Sequence, residues 1–249
     1  MDQIIYAIVS VKKQHKELNA LLVELKGISG SDLYDVFFDD VTAVVSNIHR
    51  NNVVASRPNI IEYADVIETL SQQFTLLPVR FGSVMESTDV IIKMLGRNYA
   101  EIQSNLRKVE NKVEFGLKVF CDPEKAGADT RATVPVFSSD ENSSGSGHSV
   151  YRNYLDKKLQ EHRIQERHLA QIDLVIQDIT DAFAHLNPLH KFQKMVTAAN
   201  IINDLLLLGK DKKSELVLAV EELQKKYKDL QMLLTGPWPP YNFVDFKII

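Results

Sequence analysis

Apolar residues along this chain recur with two periods, and the alternation between them divides the sequence into short strands and amphipathic helices. Residues 4–11 (Ile-Ile-Tyr-Ala-Ile-Val-Ser-Val) are rich in β-branched side chains and predict a buried strand. Over 13–26, Leu18, Leu21, Leu22 and Leu25 fall at helical spacing. Gly27 is placed to cap that helix, and Gly27-Ile28-Ser29-Gly30 to turn the chain. Strands follow at 33–38 and 41–47 with Asp39-Asp40 as the hairpin connection. Pro58 is a helix-start residue, and the helix over 60–73 has Ile60, Ala64, Ile67 and Leu70/Ser71 as its predicted inner face. Residues 76–81 predict a strand ending at Gly82. Residues 87–109 predict one long helix carrying Val90, Ile91, Met94, Leu95, Ile102 and Leu106. The order β-α-β-β-α-β-α is that of a ferredoxin-like unit plus one helix.

The pattern then repeats. Residues 113–121 alternate, with Val113, Phe115, Leu117 and Val119 on one face. Residues 122–149 are low in complexity and end in a Ser/Gly-rich run, which reads as a flexible insert and the preferred site of proteolysis. A long helix is predicted from Tyr151 to about His185, seamed by Tyr151, Leu155, Leu159, Leu169, Ile172, Ile176, Ile179 and Phe183 and stopped by Asn187-Pro188. Strands at 192–199 and 201–208, a helix over 211–227 and a strand at 229–235 complete a second β-α-β-β-α-β unit. The expected class is α+β. The expected domains are residues 1–109 and 110–249, the second containing the insert and an extended tail over 235–249.

That tail, Thr235-Gly236-Pro237-Trp238-Pro239-Pro240-Tyr241-Asn242-Phe243-Val244, holds the only tryptophan and three of the eight prolines. Proline fixes φ and lacks an N–H, so Pro237 to Pro240 are excluded from a helix and from a central strand. The segment is expected to run extended with Trp238, Tyr241 and Phe243 projecting. Disordered tails are poor in aromatics, so this one is read as docked, on its own domain or on a partner.

Composition narrows the function. The 249 residues are 45% apolar and 25% charged, which suits an ordinary globular core. Residues 1–109 carry 11 Lys and Arg against 13 Asp and Glu, and 110–249 carry 18 against 20. Neither part has the concentrated positive surface that nucleic acid or an anionic membrane requires. A lone cysteine, Cys121, gives no intrachain disulfide and no cysteine-based zinc site, and is read as an inert buried thiol of a reducing compartment. No signal peptide is evident, and no apolar run approaches the length of a membrane span, so synthesis in the cytoplasm is expected.

Seven histidines are present, none at the i, i+4 spacing of a metalloprotease pair. His162 and His168 lie in a charged helix and read as surface residues; His185 and His190 flank a helix end. There is no phosphate-binding loop, and no acid, nucleophile or metal set assembles from the sequence. No cofactor is expected, and the chain reads as a non-enzyme.

Two motifs remain. Leu77-Pro78-Val79-Arg80-Phe81-Gly82-Ser83 reads as an edge strand because of Pro78, with Leu77, Val79 and Phe81 sharing a face and Arg80 opposite. Glu86 completes a Ser83-x-x-Glu86 capping box. Arg80 suits a structural salt bridge or a partner's carboxylate. The second motif is the tail, whose Trp238, Tyr241 and Phe243 suit either a strap over a sheet or an anchor for a hydrophobic partner.

Together these motifs resemble the gas vesicle protein F/L family (GvpF/GvpL). Tyr6-Ala7-Ile8-Val9, Gly27-Ile28-x-Gly30 and Ala43-Val44-Val45-Ser46 are similar to the family's opening. Leu77-Pro78-Val79-Arg80-Phe81-Gly82 is similar to its central motif, followed by Val113-Glu114-Phe115-Gly116-Leu117-Lys118-Val119. Tyr154-Leu155-x-x-Lys158-Leu159 is similar to the start of its long helix, and the ten residues Thr235 to Val244 to its C-terminal signature. The resemblance implies a two-domain α+β protein with a non-enzymatic role in gas vesicle formation. It implies contact with the hydrophobic wall protein (GvpA-type) and other accessory vesicle proteins, and a place on the gas-facing side of the shell. It carries over no catalytic residue, cofactor or metal. On this reading Pro78, Arg80, Phe81, Trp238, Tyr241 and Phe243 are the candidate partner-binding residues. A small-ligand regulatory module is the alternative that a ferredoxin-like sheet leaves open.

Overall fold

A computed structural model describes residues 2–11, 14–121, 147–194 and 200–244. By contacts it comprises two compact units. The first is Met1–Phe115 with Leu207–Asp211 and Gly236–Ile249, and the second is Gly116–Leu206 with Lys212–Thr235. The tail therefore groups with the first unit, whereas the pattern along the chain has one cut after residue 109.

The first unit centres on strand β1 (Asp2–Ser10), which is buried along nearly its whole length. Its sheet has the order β2 (Leu33–Phe38), β3 (Val41–Ile48), β1 and β4 (Leu76–Pro78), with the short β5 (Val84–Met85) also pairing with β1. β1 is antiparallel to each of its neighbours. Helices α1 (His15–Glu24) and α2 (Arg57–Gln73) pack on one face. The buried Ile91, Met94 and Leu95 of α3 (Thr88–Arg97) and Ile102 and Leu106 of α4 (Tyr99–Val109) lie outside that core cluster, with Ile5, Ile8, Ala43, Val45 and Leu77 of the sheet.

A bulge in β1 decides which residues face which layer. Its register against β3 shifts between Ile5 and Ala7, so Ile4 and Tyr6 share a core with Ala7 and Val9 although the two pairs differ in parity. One extra residue flips every side chain beyond it. Tyr6 sits at this point, and its hydroxyl lies 3.0 Å from Ser46 Oγ and accepts from Ile28 N at 2.9 Å. Gly27 is not the cap of α1, which ends at Glu24 with Leu25 extended. A Cβ at Gly27 would stand 2.3 Å from the Tyr6 hydroxyl, so the glycine is needed for close approach.

Four local expectations change. The predicted helix over 87–109 is two helices broken at Asn98, whose side-chain amide donates to Met94 O at 2.8 Å. On α2 the buried residues are Tyr63, Val66, Ile67 and Leu70, while Ile60, in the first turn after Pro58, is half exposed. The strand predicted over 76–81 stops at Pro78 because the chain turns, with Ser83 N donating to Arg80 O and Gly82 at φ +87°. Ser83 is no cap: its hydroxyl donates to Arg80 O, and the N-cap of α3 is Ser87. The Asp39-Asp40 hairpin forms as read, and Asp40 accepts from Tyr99 Oη at 2.7 Å and from Gln103 Nε2, docking the turn on α4.

The second sheet has the order β7 (Leu189–Lys194), β8 (Asn200–Gly209), β6 (Lys112–Cys121) and β9 (Leu230–Trp238). This is the same 2-3-1-4 order as in the first, so the β-α-β-β-α-β connection occurs twice. The connecting helices are α5 (Gly147–Phe183) and α6 (Lys213–Lys226). Among the described side chains of α5, Ile172, Val175, Ile179 and Phe183 near its C-terminus are buried, and Leu155 and Leu159 of the predicted seam are exposed. The side chains of Tyr151, Leu169 and Cys121, and most of the insert predicted over 122–149, lie outside the described residues.

One buried charge interrupts the apolar core of the second unit. Asp204 on β8 is 0% exposed, and one carboxylate oxygen lies 2.8 Å from His190 Nδ1 while the other has no hydrogen-bond partner among the described residues. The His190 ring stacks between Phe183 and Phe192. Burial raises the Asp204 pKa, and His190 only partly offsets it. A raised carboxyl stabilises the fold below its ordinary value near ~4, and that contribution fades as pH rises through the folded value. Asp204→Asn should therefore gain stability relative to the wild type as pH goes from 4 to 8. Urea midpoints across that range would refute this if the difference stayed flat.

Candidate partner-binding site

The six residues singled out by the sequence all belong to the first unit. Pro78 ends the outer strand β4 and is partly buried. Arg80 is exposed and makes no ion pair among the described residues. Its carbonyl instead holds the turn to Ser83. Phe81 does not share a face with Leu77 and Val79, because the turn swings it back against the core cluster to which neither of them belongs. There its ring meets Tyr63 edge-on at 5.2 Å, and Tyr63 stacks on Tyr6 at 4.8 Å. The Tyr63 hydroxyl lies 2.7 Å from Ile5 O and 2.8 Å from Val79 O, so its proton is shared by the two carbonyls around the bulge. Burial pushes that phenol well above its ordinary pKa, and the phenols of Tyr6 and Tyr241 add to the shift.

The tail does not run extended to its end. Strand β9 continues through Trp238, Pro239 and Pro240 are buried, and a turn follows in which Tyr241 N donates to Pro239 O at 2.7 Å and Phe243 N to Pro240 O at 3.2 Å. The three aromatics separate by role: Phe243 is 1% exposed, whereas Trp238 is 45% and Tyr241 43% exposed. The Tyr241 phenol is more covered than the residue as a whole: partial burial, then Glu68 and Glu114, push it up to about 12. Beside Pro239 and Pro240 is a small depression open to solvent, with Phe74, Leu76, Val109 and Val113 among its lining residues.

Two site residues escape the sequence reading. Glu114, 3% exposed, accepts from Asn242 N at 2.8 Å and from Asn242 Nδ2 at 2.5 Å. The alternation of β6 assigns Glu114 only to the face opposite Phe115, and nothing local shows that a segment 128 residues away covers it. Among the described residues no His, Cys, Asp and Glu group could hold a metal, and no helix is long and apolar enough to cross a membrane.

Comparison with known proteins identifies the surroundings of this arrangement. Residues 3–245 match the family described as gas vesicle synthesis protein GvpL/GvpF. Gas vesicle protein F1 of Halobacterium salinarum is 24% identical over 93% of this chain and 91% of its own. Gas vesicle protein L1 of the same organism is 24% identical over 87% and 82%. The crystal structure of GvpF from Anabaena superposes with a TM-score of 0.75 at 21% identity, covering 99% of this chain and 97% of that one. GvpF from Microcystis aeruginosa gives a TM-score of 0.72 at 19% identity, covering 98% and 99%.

Proposed function

The chain belongs to the GvpL/GvpF family of gas vesicle synthesis proteins, and from that premise we propose that it is a non-enzymatic accessory or minor structural protein of vesicle assembly. It binds the small hydrophobic wall protein (GvpA-type), and other vesicle proteins, while the shell nucleates and grows, and it ends on the gas-facing side. The observation that carries this reading is the split within the tail: Phe243 is buried in the fold while Trp238 and Tyr241 each keep almost half of their surface in solvent. Tryptophan and tyrosine dominate binding hot spots because they bury large area at little entropic cost. A subunit that builds a hydrophobic shell exposes apolar surface until it is incorporated, and such surface aggregates unless covered. Of the other candidates, Pro78 stands on an outer strand and Arg80 is exposed, so both are accessible to the same partner. Phe81 supports the surface through its contact with Tyr63.

Co-expression with the wall protein, followed by affinity capture and gel filtration at low and high salt, tests the proposal. A soluble complex that persists in high salt is expected, because apolar contacts are not screened. Wall protein that stays insoluble, or elutes apart at both salt concentrations, would defeat it.

A further inference from the structure

The displayed stretch of the tail, Gly236–Asn242, meets one residue of β6 at both of its ends, by close approach at the first and by hydrogen bonds at the second. At the near end, the backbone of Gly236 passes so close to Glu114 that a Cβ would stand 2.8 Å from the Glu114 carbonyl oxygen, with Gly236 at φ +108°. At the far end, the Glu114 carboxylate takes both the backbone N–H and the side-chain amide of Asn242, one on each oxygen. Hydrogen bonds to a buried carboxylate are the stronger kind, and losing one partner leaves a costly unpaired group. Between the two ends, Pro237, Pro239 and Pro240 fix their own φ angles, and Trp238 and Tyr241 are the exposed aromatic side chains.

We propose that Glu114 is the positioning residue of the partner-binding surface, its carboxylate pinning Asn242 while Gly236 lies against its backbone, so that Trp238 and Tyr241 meet a hydrophobic protein partner already ordered. The role rests on the reading that these two aromatics contact the partner. A surface ordered before binding does not have to freeze its side chains and backbone on contact, which raises affinity without adding a contact.

Because Trp238 is the only tryptophan, its fluorescence reports this stretch alone. The test uses the full chain with Glu114→Ala, Asn242→Asp, and the double swap Glu114→Gln/Asn242→Asp. Asn242→Asp sets a second carboxylate against Glu114. The swap exchanges the side-chain roles, since a glutamine oxygen still accepts the residue 242 N–H while its amide donates to the new aspartate. Both single variants should make Trp238 more accessible to acrylamide. They should weaken retention of the wall protein roughly tenfold, the scale of ordering two side chains anew. The swap should bring both readouts back toward the wild type, which a merely destabilised chain would not do. Wild-type quenching in both single variants overturns the clamp, and raised quenching with undiminished retention overturns its role in binding. If the wild-type chain retains no wall protein, the assembly reading fails on its own, and the quenching series still decides the clamp.

Discussion

Trp238→Ala combined with Tyr241→Ala should weaken binding of the wall protein about a hundredfold or more, because buried aromatic anchors each cost about 2 kcal/mol or more when truncated and such losses overlap. The fold should lose part of its stability as well, though less per ring than at a fully buried site, because each side chain is a little over half covered and that burial goes with it. The stretch that carries them is fixed by residues the substitutions leave in place, namely Phe243, Asn242 and Glu114. Ile61→Ala provides the matched control, since Ile61 is similarly exposed in the same unit but outside the tail. A binding titration of each variant, with urea midpoints alongside, separates the outcomes. Wild-type affinity in the double variant would reduce the tail to a strap, and an equal loss in the Ile61 control would mean that general surface apolarity, and not the tail, drives association.

Phe243→Ala should act on stability instead, lowering it by about 3–5 kcal/mol, the usual cost of emptying a phenylalanine site in a close-packed interior. Phe243 is among the largest fully buried side chains of the chain. With a urea dependence of about 2–3 kcal/mol per molar, the midpoint should fall by roughly 1–2 M. A loss of this size is a large fraction of a typical domain's 5–15 kcal/mol. Midpoints followed by circular dichroism would check it. A loss below about 1 kcal/mol would mean that the tail only rests on the surface, and the division of labour between Phe243 and the two displayed aromatics would fall with it.

The two substitutions concern neighbours that look alike in sequence. Trp238, Tyr241 and Phe243 have the same chemical character and stand within one short Pro-rich segment, so their spacing alone makes all three equivalent candidates. What separates them is the buried Pro239-Pro240 pair, the turn at Tyr241 and the grip of Glu114 on Asn242, which together turn one ring inward and leave two outside. Asp204 is a similar case. A charged residue inside the apolar run from Ile201 to Leu208 is a visible signal of a buried polar site, yet its partner His190 is on another strand and no local pattern links them.

The sequence by itself determined the elements and their order. Strand and helix periods are written in residues two to four apart, which is why both β-α-β-β-α-β units, the Asp39-Asp40 hairpin and the helix opening at Pro58 could be read from the chain, and why the central motif and the tail sufficed to place it in its family. Only the tertiary structure decided where those elements flip, break and lock. The β1 bulge changes which face Ala7 and Val9 occupy because the bulge exists only against β3. The turn after Pro78 carries Phe81 into a core that alternation assigns to Leu77 and Val79. The Glu114 clamp joins residues whose separation along the chain exceeds any local period. Each of these is a contact between distant segments, and its free energy depends on the partner's position, which a local hydrophobic pattern does not contain.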